Sequence, residues 1–84
     1  MSTYIELGNK VAFHPGYYIQ EFLKEEFLSQ EEFSKRYNIP LEVINGEQSL
    51  SIDIAKILSN IVGASIDYWL NLQKEYDKII NNFK

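Results

Sequence analysis

Cysteine is absent from the 84 residues, which excludes disulfide frameworks, thiolate metal sites and a cysteine nucleophile. Histidine is nearly absent. His14 stands alone, and without a second histidine or an acid at ligand spacing it reads as a helix cap or loop residue before Pro15, not as a metal ligand or general base. Positive charge is scarce: 8 lysines and arginines face 12 acids, a formal net charge of −4. An acidic chain does not steer toward nucleic acid and fits a basic protein partner better. No run reaches the roughly 18 apolar residues of a membrane span. The start, "MSTYIELGNK", lacks the basic n-region and apolar stretch of a secretory signal. A soluble cytoplasmic chain with no membrane partner is therefore expected. No phosphate loop, cofactor fingerprint or nucleophile–base arrangement is visible. Glu25-Glu26 and Glu31-Glu32 are adjacent pairs, which do not face each other on a helix and read as solvated faces. The expectation is a non-enzyme with no catalytic residues, no metal site and no cofactor.

What is present is a core-forming pattern. Hydrophobic residues make up 45% and aromatics 14% of the chain, enough for one folded domain. "YIELGNKVAF" holds two short apolar-containing runs around Gly8-Asn9, a pair suited to a tight hairpin turn; a short hairpin or an extended arm over residues 1–13 is expected. Helical signals fill residues 14–84. Pro15 suits a first helical turn, and Tyr18, Ile19, Phe22, Leu23 and Phe27 follow at helical spacing, predicting a helix from about Pro15 to Glu26. Ser29 with Glu32 forms a capping-box pattern for a second helix, with Phe33 and Tyr37 facing inward and Pro40 stopping it near Tyr37. Pro40 then opens a short third helix, "PLEVIN", which ends at Gly46. Ser51 caps a fourth helix, with Asp53 in its first turn and Ile54, Ile57, Leu58 and Ile61 on its apolar face; Gly63 ends it. Ser65 and Asp67 start a fifth, in which Trp69, Leu72, Tyr76, Ile79 and Phe83 recur at spacings of three and four, a heptad-like seam. Its second half has little core left to cover. The stripe Tyr76, Ile79, Ile80 and Phe83 would be exposed in a monomer, and an apolar stripe of that kind marks an interface. It is the expected homodimer seam.

Five helices with two short central ones is a helix-turn-helix layout. The pieces "FHPG" (13–16), "LSQEEFSKR" (28–36), "INGEQSLS" (44–51), "IAKILSNIVGAS" (54–65) and "YWLNLQKEYD" (68–77) resemble, in the same order, the HigA-type antitoxin branch of the XRE (lambda-repressor-like) helix-turn-helix family. The run "WLNLQ" after a Gly-Ala-Ser turn is the most specific of them. The resemblance implies an all-α, five-helix, lambda-repressor-like domain acting as a small dimeric regulator. Such a regulator would neutralise a RelE-like ribonuclease toxin by direct binding and bind the operator of its own operon. By the same resemblance Gln30 sits where the family contacts phosphate at the start of the second helix. Glu42, Asn45, Gln48 and Ser49 sit in or just after the reading helix. The chain departs from the pattern here: "PLEV" leaves about four residues, roughly one helical turn, fewer than family members have, and Glu47 stands where a basic residue commonly follows the Asn-Gly.

Between Ser29 and Ser51 the acids Glu31, Glu32, Glu42 and Glu47 outnumber the bases Lys35 and Arg36, a net of −2. Counterion release from phosphates supplies much of DNA affinity, so weak or conditional operator binding is expected, strengthened when a basic toxin joins. Lys35 and Arg36 are either phosphate contacts or plain solvated charges. Asn45 is a helix stop first and a base reader second. The competing reading is a helix-turn-helix protein with a degenerate reading helix that acts only through protein–protein contact, as a prophage-type modulator.

Overall fold

The computed structural model describes residues 3–82. A hairpin of β1 (Tyr4–Leu7) and β2 (Lys10–Phe13) precedes α1 (Pro15–Glu25), α2 (Gln30–Tyr37), α3 (Leu41–Ile44), α4 (Ile52–Ile61) and α5 (Ile66–Asn81). The N-terminal segment is thus a hairpin, not an extended arm. Gly8 takes a φ of +64° at the turn, and the register pairs Tyr4 with Phe13 and Glu6 with Val11. Its inner face buries Ala12 as β2 packs on α5. On the outer face the Phe13 ring lies 5.9 Å from Tyr4 and 4.9 Å from Tyr17.

Local chemistry sets the helix starts. Ser29, Ser51 and Ser65 each accept a backbone N–H three residues on, from Glu32, Ile54 and Tyr68, a cap contributing about 1 kcal/mol. Only the hydroxyl half of the Ser29–Glu32 box forms among the described residues, because Glu32 is exposed and points to solvent. Pro40 is the N-cap of α3 rather than its first helical residue: its ψ of 138° is extended, and α3 has no side-chain cap.

One expectation is overturned. Phe27 continues the apolar spacing of α1 in sequence, but α1 ends at Glu25 and the chain turns left-handed at Phe27, φ +53°. The Leu28 N–H bonds the Leu23 carbonyl and the Phe27 N–H bonds the Lys24 carbonyl, the two bonds of a Schellman motif. The turn swings the Phe27 ring outward, 97% exposed, and Leu28 packs at the core edge instead. A left-handed φ costs a non-glycine residue about 1–2 kcal/mol.

The core is built from Ile19 and Leu23 of α1, Phe33 of α2, Val43 and Ile44 of α3, Ile54, Ala55 and Leu58 of α4, and Trp69 of α5. Each fully buried large apolar side chain contributes about 1.5–3 kcal/mol. Trp69 also donates Nε1–H to the Gly63 carbonyl at 2.8 Å, tying the left-handed bend after α4 to the helix that follows. In the second half of α5 the expectation of an exposed stripe needs correction for the single chain: Tyr76, Ile79 and Ile80 are half-buried, with the Tyr76 ring edge-on to His14 at 5.1 Å. Phe83 lies outside the described residues.

Candidate nucleic-acid interface

The segment Pro40–Asn45, short and acidic as it is, does form a helical turn. α3 spans Leu41–Ile44, with Asn45 as its C-cap. Nothing local explains this, since a four-residue helix lies far below the length that is stable alone. Tertiary contacts hold it. Val43 and Ile44 are wholly buried, and the start of α1 presses against the end of α3 at Gly16. A Cβ on Gly16 would lie 2.4 Å from the Ile44 carbonyl oxygen and 2.6 Å from that of Val43. Only glycine permits this approach, which brings the positive end of the α1 dipole onto the carbonyls that close α3.

Three polar side chains then fix the loop that follows. Gln20 donates Nε2–H to the Ile44 carbonyl at 3.0 Å and lies 3.5 Å from Asn45 Oδ1. His14 bridges two elements: its Nδ1 accepts the Gly16 N–H at 2.9 Å and its Nε2 meets the Gln48 carbonyl at 3.0 Å. A backbone N–H can only donate and a carbonyl can only accept, so the ring is the neutral tautomer with hydrogen on Nε2. Burial lowers the His14 pKa below the ordinary histidine value, with the Gln48 carbonyl and the Asp77 charge acting in opposition. Gln73, buried in α5, accepts the Leu50 N–H at 2.8 Å and donates to Asp77 Oδ1 at 2.9 Å. Within the turn, the Glu47 and Gln48 N–H groups both bond the Glu42 carbonyl.

The candidate DNA-facing residues fall into two groups. Glu42, Asn45, Gln48 and Ser49 share α3 and its loop; Glu42, Gln48 and Ser49 are exposed, and Asn45 is half-buried against Gln20. Lys35 and Arg36 stand exposed in the last turn of α2, unpaired with any carboxylate among the described residues. Gln30, at the opposite end of α2, is half-buried and lines a cleft with Leu23, Lys24, Leu28 and Ser29. Sequence reasoning placed these residues but missed their supports, Gln20, Gln73 and the bridging role of His14. For Gln73 a signal existed: a polar residue one turn after Trp69, on the apolar side of α5. For Gln20 there was none.

No protein-family model and no curated protein matches the chain, but solved structures do. An antidote protein of a plasmid maintenance system from Nostoc punctiforme is 31% identical over 83% of this chain and 81% of its own, with a TM-score of 0.74. An addiction-module antidote protein of the HigA family from Coxiella burnetii is 30% identical over 82% of this chain and 80% of its own, with a TM-score of 0.71. The chain belongs to the HigA family of antidote proteins. PA4674 from Pseudomonas aeruginosa, solved with its 18-base-pair operator DNA, is 26% identical over 82% of this chain and 80% of its own, with a TM-score of 0.73. As a HigA-family antidote protein the chain is not an enzyme. Among its described residues, no helix is long and apolar enough to cross a membrane.

Proposed function

We propose that this HigA-family chain is the antitoxin and operator-binding regulator of a toxin–antitoxin operon. It neutralises a RelE-like ribonuclease by direct binding and contacts DNA as a homodimer. The observation that carries the DNA half is the clamping of α3. His14, Gly16, Gln20 and Gln73 make four separate contacts that fix one helical turn and its loop, leaving Glu42, Gln48 and Ser49 exposed on its outer side. In this reading Gln30, Lys35 and Arg36 meet phosphates, while Glu42, Asn45, Gln48 and Ser49 face base edges. Residues 1–13 serve as an accessory hairpin to a helix-turn-helix domain over 14–84. The similarity to an operator-binding relative supports the same reading, and Tyr76, Ile79, Ile80 and Phe83 supply the dimer seam.

Charge limits the affinity. With Lys35 and Arg36 as the basic contacts, a dimer neutralises about four phosphates, so log affinity should fall with log salt at a slope of roughly −3.6. A gel-shift over a salt series, using the DNA upstream of the chain's own coding sequence, tests this. The alternative, a protein-only modulator on the same fold, is favoured by the net −2 between Ser29 and Ser51. Absence of any shift at low salt, with the toxin present or absent, decides for it.

A further inference from the structure

We propose that the turn between α1 and α2 is a docking surface for a basic protein, with Phe27 as its anchor. The proposal rests on the antitoxin reading only in taking the toxin as that protein. The other helix ends place asparagine or glycine at a left-handed position, Asn38 after α2, Gly46 after α3 and Gly63 after α4, where the small Ala64 follows at φ +68°. After α1 that position falls to a phenylalanine, a bulky side chain poorly suited to it. The ring is 97% exposed, and none of the ring pairs among the described residues includes it. Phe27 therefore bears backbone strain without contributing to the core. Exposed aromatic anchors of this kind carry much of the energy of protein interfaces.

The surroundings select the partner. Leu28, the chain neighbour of Phe27, lines a cleft of about 290 Å³ with Leu23 as its other apolar wall and Lys24, Ser29 and Gln30 among its polar ones. The exposed carboxylates Glu25, Glu26, Glu31 and Glu32 flank Phe27 and Leu28 along the chain. The one cation within Lys24–Glu32 is Lys24, already 4.0 Å from Glu21. The stretch carries a net charge of −3, so the Phe27 turn disfavours phosphates, and the phosphate contact proposed for Gln30 is confined to its amide at the start of α2. A second copy of the chain brought up through a twofold axis would set these acids against their own images. A protein with an apolar pocket rimmed by lysine and arginine satisfies both features, and its charge would also speed the encounter.

The test is Phe27→Gly, which relieves the left-handed strain and removes the ring. The variant should melt at the same temperature as the wild type or a few degrees higher. Its affinity for an inactive form of the RelE-like toxin that the antitoxin reading requires, measured by calorimetry, should fall at least about tenfold. Glu25→Gln with Glu26→Gln should slow association and flatten its salt dependence. A wild-type chain that binds no such toxin overturns the antitoxin reading and this assignment with it. Wild-type binding with an equally tight Phe27→Gly variant overturns the assignment alone. So does a lower melting temperature for Phe27→Gly, which would make the ring structural, or a change in the sedimentation of the chain by itself, which would give the surface to a second copy.

Discussion

Replacing Gly16 by alanine should cost about 2–3 kcal/mol of folding stability. The added Cβ would lie 2.4 Å from the Ile44 carbonyl oxygen, where ordinary contact begins near 3.4 Å. α3 must therefore retreat by about 1 Å, because the obstacles are backbone atoms that no rotamer change can move aside. A gap of that size forfeits roughly a quarter to a half of the dispersion attraction across it, here the contacts of Val43 and Ile44. It also stretches the 3.0 Å bond from Gln20 Nε2 to the Ile44 carbonyl out of range, a loss of about 1 kcal/mol. Alanine's better helix propensity returns at most about 1 kcal/mol. The net loss corresponds to a fall in Tm on the order of 10–15 °C for a domain of this size. Urea and thermal unfolding followed by far-ultraviolet circular dichroism measure it. Gly8→Ala is the control: its Cβ meets nothing within 4 Å and only the φ of +64° opposes it, a cost of about 1–2 kcal/mol. A Gly16→Ala loss no larger than that of Gly8→Ala refutes the account of how α3 is held.

Acid should loosen the same joint. The unfolded chain binds a proton at His14 near pH 6.5, whereas burial lowers the pKa in the folded chain. Stability is then complete above about pH 6.5 and falls below it by at most about 1.4 kcal/mol per pH unit. Denaturant titrations between about pH 8 and pH 5 check this; an unchanged slope in His14→Asn, which keeps a capping side chain, excludes His14 as the source. Gln73→Leu strands the buried Leu50 N–H and should destabilise by about 1–3 kcal/mol, with faster amide exchange at Leu50 as its local signature. For the proposed seam, Ile79→Asp together with Ile80→Asp should give a folded monomer by analytical ultracentrifugation. A dimer that survives both changes places the seam elsewhere.

The parts of the fold legible in the sequence are those set by neighbours in the chain. Ser29, Ser51 and Ser65 announce helix starts because a cap acts over three residues, and Pro15, Gly46 and Gly63 punctuate by backbone geometry that belongs to the residue itself. Phe27 was misread for the same reason in reverse. Apolar spacing does not register where a helix stops, and the expected stop signal, a glycine or asparagine, is missing from the place where the chain turns. The clamps on α3 were illegible because they span the chain: His14 reaches Gln48 across 34 residues, and Gln20 reaches Ile44 across 24. Periodicity also suggested that the Tyr76 stripe would be bare. It carries no information that the hairpin folds back onto α5 and that His14 meets Tyr76 edge-on.

α3 lacks a side-chain cap and is gripped from beneath by Val43 and Ile44, while Glu42, Glu47, Gln48 and Ser49 face outward. Address and scaffold are thereby separable. The side chains at those four outward positions carry no folding duty, so a lineage can rewrite them, one substitution at a time, without remaking the frame that displays them. Under the proposed assignment of these positions to the DNA-facing side, retargeting such a protein reduces to editing a short label on an otherwise untouched support.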